Sequence, residues 1–137
     1  MTEDCVFCKI VQNTIPAYKV YEDTEIVAFF DFFPVAKYHT LVIPKKHYAD
    51  FFEIPSELLG KLMEVTQKIA LVYRDSLGIE NVQLLNNCGR FAQQGVFHIH
   101  FHIIPRFEND GNNLKLQKHL EYQQEYAEMI NKLPRIE

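Results

Sequence analysis

No dense run of lysine and arginine occurs in this 137-residue chain, whose eighteen acidic and fourteen basic side chains leave a formal charge of −4. That balance disfavours wrapped nucleic acid and an anionic membrane surface as partners, and leaves room for a small anion held by local dipoles. Long apolar runs are missing too. The most apolar stretch, "IVAFFDFF", carries Asp31 and falls far short of the roughly 20 residues a spanning helix needs. The opening "MTEDCVFCKI" is acidic and short of apolar length; it has the character of neither a signal nor a transit peptide, so a cytosolic protein is expected. Cysteine is scarce, with three residues. In that compartment this argues against a disulfide framework and leaves metal ligation or redox chemistry for Cys5 and Cys8, with Cys88 a reduced structural thiol. Repeats, low-complexity tracts and Gly/Ser linkers are absent. So are the Walker A and dinucleotide glycine patterns, and any bound phosphate must therefore be held by other means.

What is present fits one domain over residues 1–137: 47% apolar composition at this length supports a true core but not two ordinary domains. Short β-type runs at 18–22, 26–31, 39–43, 82–86 and 97–104 are bounded by Asp, Asn, Gly or Pro. They lie too close together for a βαβ series and predict a mainly antiparallel sheet of about five strands. Between the third and fourth runs, Leu58, Leu59, Leu62, Met63, Val65, Ile69, Val72 and Tyr73 recur at helical spacing. Ser56 is the expected N-cap and Gly78 the expected left-handed stop, and the helix should cover one sheet face. A second helix is expected over 118–132, with Leu120, Tyr126, Met129 and Ile130 as its buried side. The predicted class is α+β.

The densest concentration of chemistry is "HIHFHII", with histidines at 98, 100 and 102. Three histidines at period two arise by chance in roughly one of a hundred such sequences. In a strand they would share one face, leaving Phe97, Ile99, Phe101 and Ile103 to the core. His98 and His102 would then stand about 13 Å apart along the backbone, too far to share one zinc with bonds of about 2.0–2.1 Å. Their roles must differ, and the middle histidine is placed to act as a nucleophile between two proton donors.

"NCGRFAQQGVFHIHFHIIP", residues 87–105, resembles the signature of the histidine triad (HIT) superfamily, with Asn87, Ala92, Gln94 and Val96 at the spacings that signature uses. "CVFCKI", "FFDFFP" and "HTLVIPKKH" look like the N-terminal zinc pair, ribose-binding strand and second strand block of bacterial HIT hydrolases. The resemblance covers nearly all of the chain except its last thirty or so residues; an N-terminal hook lies at about 1–12 and a C-terminal segment at about 108–137. It implies a HIT-like fold and an enzyme that attacks the α-phosphorus of a nucleoside phosphoramidate or dinucleoside polyphosphate, forms a nucleotidyl-histidine and releases a nucleoside monophosphate. By that resemblance His100 is the nucleophile, His102 touches the phosphate or departing group, and His39 belongs to the supporting histidine network. Asp31 would bind the ribose hydroxyls of a purine nucleotide, Phe29 and Phe32 would flank the base, and Asn87 would belong to the nucleotide site. Gln94, with the backbone near Gly95 and Val96, would hold phosphate.

Taken alone, Cys5 and Cys8 are equally half of a zinc site or a redox pair. The resemblance implies structural zinc, with His47 and His98 as the remaining ligands, and a homodimer. Two positions depart from the relatives: Gly95 stands where Hint-type phosphoramidases carry a serine near the leaving group, and Tyr38 where glycine is common. "IIPR" after the comb is closer to bacterial hydrolases and the Fhit branch than to the Hint branch. The alternatives are a purine-nucleotide-binding module with little turnover, and a zinc enzyme whose metal activates water directly.

Overall fold

The structure is a computed structural model describing residues 2–136. Its centre is a five-stranded sheet of β1 (Lys19–Glu22), β2 (Ile26–Phe30), β3 (Thr40–Pro44), β4 (Val82–Leu85) and β5 (Phe101–Pro105), in the spatial order β1-β2-β3-β5-β4. Every neighbouring pair is antiparallel. The helices are α1 (Val6–Val11), α2 (Ser56–Leu77) and α3 (Tyr126–Asn131), with 3-10 turns at Arg90–Ala92 and Leu120–Glu125. This is the α+β architecture expected from the sequence.

Burial explains why the strands read differently. Residues of β2 and β3 are buried on both faces except for half-buried Phe30, so "IVAFF" and "TLVIP" are nearly continuous apolar runs. The edge strands β1 and β4 alternate instead, one face inward and one toward solvent. On one side of the sheet, Ile26, Ala28, Val42 and Ile103 pack against Leu62, Val65, Ile69 and Tyr73 of α2. On the other, Val27, Phe29, Leu41 and Ile43 meet Phe7 and Ile10 of α1. Each fully buried Ile, Leu or Phe contributes about 1.5–3 kcal/mol, so the two helices hold the sheet from opposite faces. No helix among the described residues is long and apolar enough to cross a membrane.

The long helix begins at Ser56, but Ser56 is not its cap. Pro55 occupies that position with φ −62° and ψ 141°, and its carbonyl accepts the first helical bond from Leu59 N–H at 2.9 Å. Proline's locked φ sets this entry without a side-chain hydrogen bond. The other end is as expected: Gly78, at φ 69°, turns left-handed and returns its N–H to Arg74, while Ile79 N–H reaches Tyr73. A side chain at Gly78 would strain that turn.

Two other expectations are corrected. The comb is not one strand over 97–104, because β5 starts at Phe101. Residues 97–100 form an irregular approach in which Ile99 N–H bonds Tyr48 O at 2.8 Å. Ile99 and Ile103 still reach the core, whereas Phe97 is half exposed. At the C-terminus a 3-10 turn precedes the short α3, and Leu120, Tyr126, Met129 and Ile130 are 67%, 57%, 51% and 64% exposed rather than buried. Both faces of the sheet already carry a helix, and this arm packs chiefly on itself.

Candidate active site and metal-ligand cluster

At the end of β2 the chain turns through Asp31–Phe33 and comes back at His39, beside β5. The turn is closed by Phe33 N–H donating to Asp31 Oδ1 at 2.8 Å, and by Asp31 N–H donating to the His39 carbonyl at 3.0 Å. Register then pairs Leu41 with His102 and Leu85 with His102, which puts His102 in the middle of three strands. A cavity of about 320 Å³ opens over this face. Apolar Val6, Phe7, Phe32, Phe33, Leu41 and Val96 line it together with polar Asp31, Asn87, Gln93, His100 and His102 and with Gly95.

Backbone partners fix the proton on each ring, because a main-chain N–H can only donate and a carbonyl can only accept. His100 Nδ1–H donates to the His98 carbonyl at 2.8 Å, which leaves a lone pair on Nε2. Val35 N–H donates to His39 Nδ1 at 3.1 Å. The proton of His39 therefore sits on Nε2 and is donated to His102 Nδ1, 2.9 Å away. His102 consequently carries its own proton on Nε2. Asn86 Nδ2 holds the His100 carbonyl at 3.0 Å, and the edge of Phe7 meets the His100 ring at 5.1 Å.

Burial sets the charge state to match. It lowers the His100 pKa, opposed by the bond to the His98 carbonyl, and it lowers that of His39, opposed by the Asp31 charge. It drives His102 down to about 4, with the His100 and His39 charges pushing the same way. The three rings are neutral at pH 7. A neutral imidazole with one nitrogen anchored and the other bare is a competent nucleophile.

The sequence-derived site residues divide accordingly. Asp31, Phe32, Asn87, Gly95, Val96, His100 and His102 border the cavity. His39 stands behind His102, and Phe29 is fully buried beneath Phe32, with ring centroids 6.4 Å apart. Gln94 is buried and faces elsewhere: its Oε1 accepts from Gly89 N–H, and its Nε2 donates to the Ala49 and Val96 carbonyls. It shapes the loop before the comb. Phe7, Val35 and Asn86 were missed by the sequence reading. Phe7 had a signal, being the large apolar residue between the two cysteines; the Val35 contribution is a main-chain N–H and has none.

Cys5, Cys8, His47 and His98 converge on the far side of Phe7, one donor atom from each lying within 4.8 Å of the others. His98 Nε2–H donates to Pro44 O at 2.8 Å, so its Nδ1 lone pair faces the cluster. That Nδ1 lies 3.2 Å from His47 Nδ1, 3.4 Å from Cys5 Sγ and 3.6 Å from Cys8 Sγ, while Cys8 Sγ lies 3.4 Å from His47 Nδ1. A tetrahedron with zinc bonds of about 2.0–2.3 Å has edges of about 3.3–3.8 Å. The donor set and its spacing fit that ion, and a redox CxxC has no use for two imidazoles. Asp31, His39 and His102 are equally close together, but the Val35 N–H occupies His39 Nδ1, so Nε2 carries a proton and offers no lone pair to a metal.

The HIT domain family matches residues 12–109. An uncharacterised HIT-like protein of Methanocaldococcus jannaschii is 48% identical over 111 residues, covering 81% of this chain and 85% of the relative. The adenosine 5'-monophosphoramidase hnt1 of Schizosaccharomyces pombe is 42% identical over 102 residues, 74% of each chain. Among solved structures, a HIT family member from Bacillus subtilis superposes with TM-score 0.84 at 38% identity, covering 98% of this chain and all of that one. A zinc-bound histidine triad protein from Mycobacterium smegmatis gives 0.76 at 34% identity, covering 93% of this chain and 96% of its own. With this extent of match in sequence and in fold, the chain belongs to the HIT family.

Proposed function

We propose that the protein is a nucleotide hydrolase or transferase that cleaves at the α-phosphorus of a nucleoside phosphoramidate or dinucleoside polyphosphate through a covalent intermediate on His100. The observation that carries this reading is the anchored Nδ1–H of His100 with its Nε2 lone pair free beside the cavity. The phosphoramidase name of the yeast relative supports the reaction class. The Nε2 electron pair forms the nitrogen–phosphorus bond. The bond from phosphorus to the leaving nitrogen or oxygen breaks with its pair on the leaving group, and an amine then takes a proton from water. In the second step water attacks phosphorus and gives up a proton to solvent, which offsets the one taken by an amine, while the electron pair of the nitrogen–phosphorus bond returns to Nε2 and the monophosphate departs.

His102 Nε2–H donates to a phosphate oxygen in both steps, with His39 holding the ring in that tautomer. Because His102 is neutral at pH 7, its contribution is hydrogen bonding to developing charge rather than wholesale proton transfer. Asp31 accepts from the ribose hydroxyls, and the Phe32 side of the cavity covers a purine. Cys5, Cys8, His47 and His98 hold structural zinc, which ties α1 to the segment bearing His100 and takes no part at phosphorus. The protein works as a homodimer, a reading supported by the edge position of β4 with its exposed Val82 and Leu84, and by the exposed Leu120, Tyr126, Met129 and Ile130 of the C-terminal arm.

The test is incubation with an adenosine phosphoramidate and with diadenosine polyphosphates, monitored by AMP release and by mass spectrometry of the trapped protein. The expected result is an adenylylated peptide containing His100, with AMP release that disappears in His100→Ala. Tight AMP binding without turnover or adduct would instead identify a nucleotide-binding module. Size-exclusion chromatography with light scattering reads the dimer.

A further inference from the structure

The loop that leaves β5 is built more firmly than its exposure requires. Arg106 donates from Nε and Nη2 to Asp110 at 2.8 and 3.1 Å, from Nη1 to Gln83 Oε1, and from Nη2 to the Asn112 carbonyl at 2.7 Å. Asp110 in turn accepts from Phe107 N–H at 3.0 Å and from Asn112 N–H at 2.9 Å. The Arg106 guanidinium holds the Asp110 carboxyl well below the usual carboxylate range, so the clamp persists over the working range of pH. Asn109 at φ 60° and Gly111 at φ 81° make the left-handed turns that bring residue 112 back toward the body.

The end of this construction is one hydrogen bond. Asn112 Nδ2 donates to the Val35 carbonyl at 2.9 Å, across 77 residues of sequence. Val35 is held from its two sides, since its N–H is the group that donates to His39 Nδ1. A continuous path thus runs from Arg106 through Asn112 and Val35 to His39 Nε2–H and His102 Nδ1. Asn112 lies just beyond residues 12–109, where the family match ends.

We propose that Asn112 is a positioning residue for the histidine relay, its side-chain amide fixing Val35 so that the Val35 N–H selects the His39 tautomer that points His102 Nε2–H at phosphate. Without the anchor, the turn after Pro34 loses its outer support and Val35 N–H drifts from His39. Water at the freed Nδ1 then supports either tautomer, and the Asp31 carboxylate, with Oδ2 3.4 Å from His39 Nε2, still favours the proton on Nε2, so a mixture results. When His39 carries its proton on Nδ1, its bare Nε2 faces His102 Nδ1, the ring of His102 must reverse its proton, and its donor to phosphate is gone. Asn112 never touches substrate; it acts through main-chain groups of Val35. The effect on turnover rests on the proposed role of His102, whereas the effect on tautomer does not.

The experiment compares wild type, Asn112→Ala and Asn112→Asp, the last of which sets a carboxylate against the Val35 carbonyl. Two-bond 1H–15N correlations of the histidine rings at pH 7.5 report which nitrogen of His39 and His102 is protonated, and turnover of an adenosine phosphoramidate gives kcat and KM. The expected wild-type pattern is Nε2–H on both rings. Both variants should show a mixture, strongest in Asn112→Asp, with kcat down by about threefold to tenfold, the share of one hydrogen bond. KM and Tm should stay close to wild type. An unchanged Nε2–H pattern on His39 in both variants overturns the proposal, and so does a fall in Tm with that pattern intact, which marks a merely structural residue. If wild type itself turns over no substrate, the proposed reaction fails while the tautomer shift still decides the role of Asn112.

Discussion

Two groups of side chains in this molecule are equally tight by proximity: Cys5, Cys8, His47 and His98 in one, and Asp31, His39 and His102 in the other. What separates them is a single main-chain group apiece. A carbonyl, that of Pro44, takes the Nε2 proton of His98 and turns a lone pair into the first cluster. An N–H, that of Val35, takes the lone pair of His39 and pushes a proton into the second. The first group therefore presents lone pairs that fit a metal ion and the second is a hydrogen-bonded relay, although inter-atomic distance alone makes them look alike. His100 sits between them with the free nitrogen that neither group uses.

Experiments can widen or erase that difference. His100→Ala has the largest expected effect: removal of the proposed nucleophile should lower turnover by about a thousandfold or more while metal content and Tm hold, as read by AMP release alongside elemental analysis. His47→Ala should do the converse. It breaks the ligand set, so stoichiometric zinc should be lost and Tm should drop by about 3–5 °C for each kcal/mol of lost folding energy, with chelation of wild type giving the same shift before activity falls. Retention of full zinc by His47→Ala would refute the ligand assignment.

The relay makes its own prediction about pH. His102 has a folded pKa of about 4, below the unfolded value of about 6.5, so below pH 6.5 the unfolded chain binds the proton first. Stability is thus fully present above pH 6.5 and is lost as pH falls through 4. Thermal melts of metal-free protein from pH 7.5 to 4 should slope downward, and the slope should be shallower in His102→Asn. The smallest effect is expected for Gly95→Ser. A Cβ there meets nothing within 4 Å, so Tm should move by about a degree or less, within the range of a neutral surface change. Turnover of amine-leaving substrates is the sensitive readout, and a collapse of the fold would contradict the open space at that position.

Legibility from sequence followed the kind of interaction involved. Strands β1 to β3 and the stop of α2 at Gly78 were readable because apolar burial and a left-handed turn leave direct marks on residue choice. The assembly of Cys5, Cys8, His47 and His98 came through family resemblance, as spacing alone cannot join residues 93 positions apart. The comb misled in one respect: period two implies a strand, yet residues 97–100 leave the ladder so that the His98 ring can reach Pro44 O. The C-terminal arm misled in another, since helical apolar spacing signals a buried side without saying which molecule buries it. Gln94 was read by its type, whereas its surroundings consume both ends of its amide. Val35 lay out of reach, because what it contributes is the main chain that every residue shares.

The bond from His100 Nδ1–H to the His98 carbonyl makes the spacing of the comb a ruler. Position 98 serves one site with its ring and the other with its carbonyl, and the reach between a side chain and the peptide two residues back admits only one separation. An insertion of one residue between 98 and 100 would keep the three histidines of the comb, Cys5 and Cys8 in the sequence. It would still separate His100 Nδ1–H from the carbonyl that accepts it, so in this region length is under tighter constraint than composition.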